Sequence, residues 1–174
     1  TAFYKMMLSK LGIFTMMDGD MEFVDNVKEV LQLSETDMTI FFRNLSRLKK
    51  NDDFEHFISI IDSIFYKPEE IKGDILLMWQ NWFTKYSTRL NSEALSDEER
   101  AQKMNEINPK YVLRNYMAQL AIDAADQGDY SIINDFYEML KHPYAEQIEH
   151  QQWFAKRPEW ARHKVGCSML SCSS

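Results

Sequence analysis

The chain has 174 residues, a formal net charge of −7, 45% hydrophobic and 13% aromatic residues, and only five glycines and four prolines. This mix excludes a disordered linker and suits one domain with a tail and a substantial core. The acidic balance argues against nucleic acid as a partner, and no apolar run is long enough to cross a bilayer as a helix.

Spacing predicts helix after helix from the N-terminus. Ala2 to Leu11 puts Phe3, Met7, Leu8 and Leu11 on one side and stops near Gly12. Asp18 to Leu31 follows, with acids in its first turn where the helix dipole favours them. Ser34-Glu35-Thr36-Asp37 has the form of a capping box, with Asp37 in place of the usual Glu. It opens a helix carrying Met38, Phe41, Phe42, Leu45 and Leu48. Lys49 to Asp53 is a polar turn, after which Phe54, Phe57, Ile58, Ile61, Ile64 and Phe65 keep helical period as far as Lys67-Pro68. Ile75, Trp79, Trp82, Phe83, Tyr86 and Leu90 mark a long helix with the heaviest apolar stripe in the chain. Ser96-Asp97-Glu98-Glu99 is a second capping box and starts a short helix that ends near Asn105.

The stretch Asn108 to Tyr144 reads as a helical hairpin. Asn108 caps and Pro109 takes the first helical position, and Leu113, Met117, Leu120, Ala121 and Ala124 form one stripe. Gly128 stops this helix and Asp129 caps the next, which turns Ile132, Ile133, Phe136 and Leu140 inward and ends before His142-Pro143. Trp79, Trp82, Phe83, Leu113, Met117 and Phe136 are expected to share one core. Past Tyr144 the spacing loosens, leaving Trp153, Phe154 and Trp160 to strap a tail to the bundle. No alternating run long enough for a strand occurs. The fold expected is all-α, a multi-helix orthogonal or antiparallel bundle over 1–144 with an irregular tail over 145–174.

Few residues form a pattern that carries chemistry. Asp18, Asp20, Glu22, Asn26 and Glu29 fall at calcium-loop positions, but Phe23 replaces the glycine the loop needs. An acidic helix start explains them as well. The histidines His56, His142, His150 and His163 form no metal pair, although His163, Cys167 and Cys172 could offer three zinc ligands. There is no Walker loop, no Gly-rich phosphate cradle and no G-x-S-x-G, so no catalytic, cofactor-binding or metal residue is assigned. Arg43 and Arg114, beside apolar stripes, are expected to pair with acids of neighbouring helices or to reach toward a segment outside the chain. The two cysteines, Cys167 and Cys172, lie in the last eight residues. Such usage suits a reducing compartment, and they are the candidate redox residues, either pairing through a turn or standing as surface thiols. The basic cluster Lys156-Arg157 to Arg162-His163-Lys164 reads as solvated charge, with Arg162 and Lys164 near enough to favour a thiolate.

Asn108-Pro109-Lys110-Tyr111-Val112-Leu113-Arg114-Asn115, Gly128-Asp129 and Pro143-Tyr144 together carry a resemblance. Asp37-Met38-Thr39-Ile40-Phe41-Phe42-Arg43, Trp160-Ala161-Arg162 and the terminal Cys172-Ser173-Ser174 agree with it. The chain resembles the C-terminal region of the selenoprotein O family, kinase-like proteins of bacteria and mitochondria. The resemblance implies a parent that binds ATP and magnesium and transfers AMP to hydroxyl side chains of proteins. The groups that hold nucleotide and metal are then expected upstream, in an N-terminal kinase-like lobe that these residues support. Thr1 opens in mid-pattern without an initiator methionine, in keeping with a piece of a longer protein. In the family's selenium-containing members the selenocysteine occupies the position of Cys172, so the resemblance gives Cys172 a redox role, bridging to a cysteine of the catalytic core. Cysteine there suggests a bacterial, cytoplasmic source. A self-contained helical interaction module stays open as the other reading. The two differ in how large an apolar patch the helices leave uncovered.

Overall fold

Helix α5, Gly73–Asn91, shows why the chain folds as helices: nineteen residues with only the first a glycine, and Trp79, Trp82, Phe83, Tyr86 and Leu90 all buried at helical spacing. In this computed structural model, residues 1–165 and 167 are described. Among them there is no strand, and Thr36 and Phe65 form an isolated antiparallel bridge, so the all-α expectation holds. The other helices are α1 (Ala2–Lys10), α2 (Asp20–Leu31), α3 (Met38–Asn44), α4 (Phe54–Ile61), α6 (Asp97–Ile107), α7 (Asn115–Ala125) and α8 (Ser131–Lys141).

Contacts group the chain into two units, Thr1–Asn108 and Pro109–Ser174. The sequence reading set its boundary at 144 instead. Residues 109–114 are not helical, and the hairpin and the turns after it share one buried cluster. Trp79, Trp82 and Phe83 are therefore buried in the first unit, Met117 and Phe136 in the second, and Leu113 is 52% exposed.

In the first unit the rings of α5 organise the core. Trp82 stacks on Tyr86 at 5.0 Å and on Phe23 of α2 at 5.6 Å. Phe83 stacks on Phe57 of α4 at 5.0 Å, and Phe65 meets Trp79 edge-on at 5.7 Å. Each such ring contributes its buried area plus about 0.5–1.5 kcal/mol of ring pairing. The Tyr86 hydroxyl donates to the Leu11 carbonyl at 2.8 Å, which ties α5 to the end of α1. Gly12 turns the chain there with φ +75°, and a Cβ on it would lie 2.6 Å from the Met104 sulfur of α6.

Local stops and starts follow side-chain chemistry, with two corrections. Ser96 and Glu99 form the full capping box at the start of α6. The cap of α3 is Asp37, whose carboxylate accepts from the Ile40 N–H at 3.0 Å, not Ser34; one carboxylate beside the first turn suffices. Asn108 does not open a helix either. It ends α6 with φ −99° and ψ 107°, donates through Nδ2 to the Lys10 carbonyl at 2.8 Å and accepts from Lys10 Nζ at 3.2 Å. Pro109 after it forces the extended exit instead of starting α7.

In the second unit Gly128 stops α7 with φ +80°, as its position suggests. Asp129 accepts from the Ser131 N–H at 2.9 Å, and hydrogen bonds from Ser131 hold its carboxyl below the usual range. The core is Tyr111, Tyr116, Met117, Ala121, Phe136, Met139, Ala161 and Cys167, with Trp153 and Phe154 packed against it.

Trp79→Ala should lower stability by about 3–5 kcal/mol, read by denaturant unfolding followed by circular dichroism; a change under about 1 kcal/mol would overturn the spine assignment. Tyr86 gives a second test. Burial pushes its phenol well above the ordinary value, so the neutral form is the one the fold favours. That stability is present in full below the unfolded tyrosine value of about 10 and is lost as pH rises through the folded one. Tyr86→Phe should cost about 1–2 kcal/mol at neutral pH and flatten the alkaline loss of stability.

Candidate functional site

Helices α7 and α8 each present apolar residues at i, i+3, i+4 and i+7 toward one shared cleft. Ala118, Ala121, Ile122 and Ala125 line one wall, and Ile133, Phe136, Tyr137 and Leu140 line the other. With Leu113 at one end, the cleft measures about 420 Å³. Small residues on the α7 wall leave the room, and bulky ones on the α8 wall give it depth. Asp126 is the one charged residue among its lining. Ile122 is 52% exposed, Ile133 42% and Tyr137 63%. An uncovered apolar surface of this kind marks a protein–protein interaction site or a ligand-binding groove.

The sequence reading turned Leu113 and Ile133 inward as part of single stripes. Both helices in fact carry two apolar faces: Met117 and Met139 go to the core, while Ile122 and Tyr137 go to the cleft. The missed spacing was present at 118/121/122/125 and 133/136/137/140, hidden by alanine and tyrosine, which read as neutral.

A polar strap holds the hairpin closed. The N–H groups of Lys110 and Tyr111 both donate to the Pro143 carbonyl, at 2.8 and 3.0 Å, so two separate sequence signatures meet in space. Lys110 is buried. Its Nζ pairs with Glu146, donates to Gln151 Oε1 at 2.6 Å and sits 5.3 Å from the Phe154 ring centre. His150, also buried, bridges Gln147 Oε1 at 2.8 Å and Asp135 Oδ1 of α8 at 2.9 Å. Gln147 Nε2 in turn donates to the carbonyls of Met139 and His142. The segment after Tyr144 is thus tied down by specific hydrogen bonds as well as by its aromatics. The burial of Lys110 and His150 was not legible in the sequence, because burial of a lone cation or imidazole is decided by partners far along the chain.

The candidate redox residues divide. Cys167 is 4% exposed, not on a surface tail as the sequence suggested, and belongs to the buried cluster that includes Met117 and Ala161. Lys164 pairs with Asp123 at 2.6 Å and Arg162 with Glu159 at 3.0 Å. Cys172, with the terminal serines and Gly166, lies outside the described residues, and so does any pairing of Cys172 with Cys167 or zinc site built on it.

The acidic start of α2 serves the fold. Asp20 accepts from Arg89 Nε at 2.9 Å and from the Met17 N–H at 2.7 Å, and Asn26 Oδ1 accepts from Lys85 Nζ at 2.9 Å. Among the described residues no three of His, Cys, Asp or Glu stand together as a metal site. Arg43 donates to the carbonyls of Asn105 and Asn108, both at 3.0 Å, at the end of α6. Arg114 occupies the N-cap position of α7.

Set beside known proteins, the chain defines its class clearly. Residues 1–141 match the family described as protein adenylyltransferase SelO. The relatives it resembles are named protein nucleotidyltransferase YdiU. The one from Flavobacterium johnsoniae is 64% identical over 98% of this chain, and those from Tolumonas auensis and Rhodopirellula baltica are 43% and 40% identical over 97% and 99%. This chain belongs to the SelO protein adenylyltransferase family. It spans about a third of the length of these relatives.

Lys110→Ala should lower stability by about 1–3 kcal/mol, since it leaves Gln151 and the Phe154 face without their cation. Urea unfolding of the purified chain checks this; an unchanged midpoint would mean the strap contributes nothing.

Proposed function

We propose that residues 1–174 form the C-terminal helical part of a bacterial, cytoplasmic protein adenylyltransferase and support its catalytic lobe. That enzyme moves AMP from ATP to Ser, Thr or Tyr hydroxyls of other proteins. The hydroxyl oxygen bonds to the α-phosphorus, the bond from that phosphorus to the β-phosphate oxygen breaks, and pyrophosphate leaves. The family match over residues 1–141 carries the reading. The coverage of about a third of each relative, and signatures that resemble the family's C-terminal region, support the placement.

The chain's own residues fit a supporting part. Neither ATP nor magnesium is assigned to a residue here; by the resemblance, the groups that hold them lie upstream. The uncovered cleft between α7 and α8, with one charge in its lining, supports a buttress over a self-contained module, which would show a smaller apolar patch with a polar rim. By the resemblance, Cys172 gives the enzyme its redox response, through a disulfide to a cysteine of the catalytic lobe.

The full-length protein should incorporate label from ATP labelled at the α-phosphate, and none from ATP labelled at the γ-phosphate. Transfer of the γ label would make it a kinase and overturn the reading. With Cys172→Ala, transfer should no longer respond to reductant; an undiminished response would remove that cysteine from redox control.

A further inference from the structure

The cleft of α7 and α8 is complete in shape and open in the chain described. Its walls carry matched i, i+3, i+4, i+7 rows, which is the geometry that receives a third helix along the seam between two others. Leucine-sized ridges fit beside Ala118, Ala121 and Ala125, and Tyr137 and Phe136 flank them. Asp126 stands as the one charge in the lining.

We infer that this cleft seats an amphipathic helix of the same polypeptide, from the roughly two thirds of the family's length that lies outside these 174 residues. The helix presents apolar residues at i, i+3 or i+4, and i+7 to the cleft, with a Lys or Arg facing Asp126. Two observations select this occupant. The relatives carry a long additional chain that is joined covalently, so its local concentration is high and a modest interface suffices. The lone carboxylate in an apolar lining favours one cation on the helix it receives, whereas a second copy of this cleft would bring Asp126 against a like wall. The inference rests on the proposed function and names the surface through which the support acts.

The test uses the full-length polypeptide with Cys172→Ala and compares single cysteines in maleimide labelling. Ile133→Cys and Tyr137→Cys sit in the cleft, while Asn134→Cys sits outside it on the same helix and is exposed. The cleft cysteines should label about tenfold or more slowly than Asn134→Cys, at every protein concentration. Adding Asp126→Lys should speed the cleft cysteines severalfold and leave Asn134→Cys as it was. Equal labelling at all three positions overturns the inference, and protection that grows with protein concentration overturns it in favour of a second copy. Protection that Asp126→Lys leaves unchanged overturns the facing cation. Labelling does not depend on AMP transfer, so a protected cleft in a protein that transfers no AMP would count against the proposed activity alone.

Discussion

Burial of the α5 rings is the constraint on which the first unit depends. Trp79 and Tyr86 have no exposed surface, and Trp82 has almost none. Such large, flat side chains leave water only if several neighbours close over them together. Phe23 from α2, Phe41 from α3 and Phe57 from α4 do so, each contacting Trp82 at 5.6–6.0 Å. The position of each surrounding helix is set by the ring it must cover. The loops between them are then fixed by what remains to be hydrogen-bonded.

Around that core, buried and half-buried cations finish what the helices leave undone. Arg89 joins Asp20, Glu93 and the Thr15 carbonyl, while the two oxygens of Glu93 also accept from the N–H groups of Phe14 and Thr15. Arg100, fully buried, donates to the Leu48 carbonyl and to Asp97. Arg43 takes the last carbonyls of α6. Each cation is paired by groups that would themselves be costly to leave bare, so the set acts as internal capping. A guanidinium suits this work because its planar fork reaches several acceptors at once.

The same view explains the residues that carry the family resemblance. Asp37 caps α3, Lys110 and Tyr111 hold Pro143, and Ala161 packs with no exposed surface in the second core. Each of these residues serves the fold within its own unit. They mark the family because they set the path of the chain. Among the described residues, the α7–α8 cleft sets one carboxylate in an apolar lining.

The sequence by itself determined the helices and most of the inward-facing residues of the first unit, because a 3.6-residue period over bulky apolar side chains is a local property. It also determined the stops at Gly12 and Gly128 and the capping box at Ser96, which depend on neighbours a few residues away. Only the tertiary structure decided that Asn108 ends a helix instead of starting one, since its side chain is claimed by Lys10, distant in sequence. It also decided that Cys167, Lys110 and His150 are buried, that α7 and α8 have two apolar faces, and that the division falls after Asn108. In each case the outcome depends on partners brought together by the fold, and a local pattern holds no record of them.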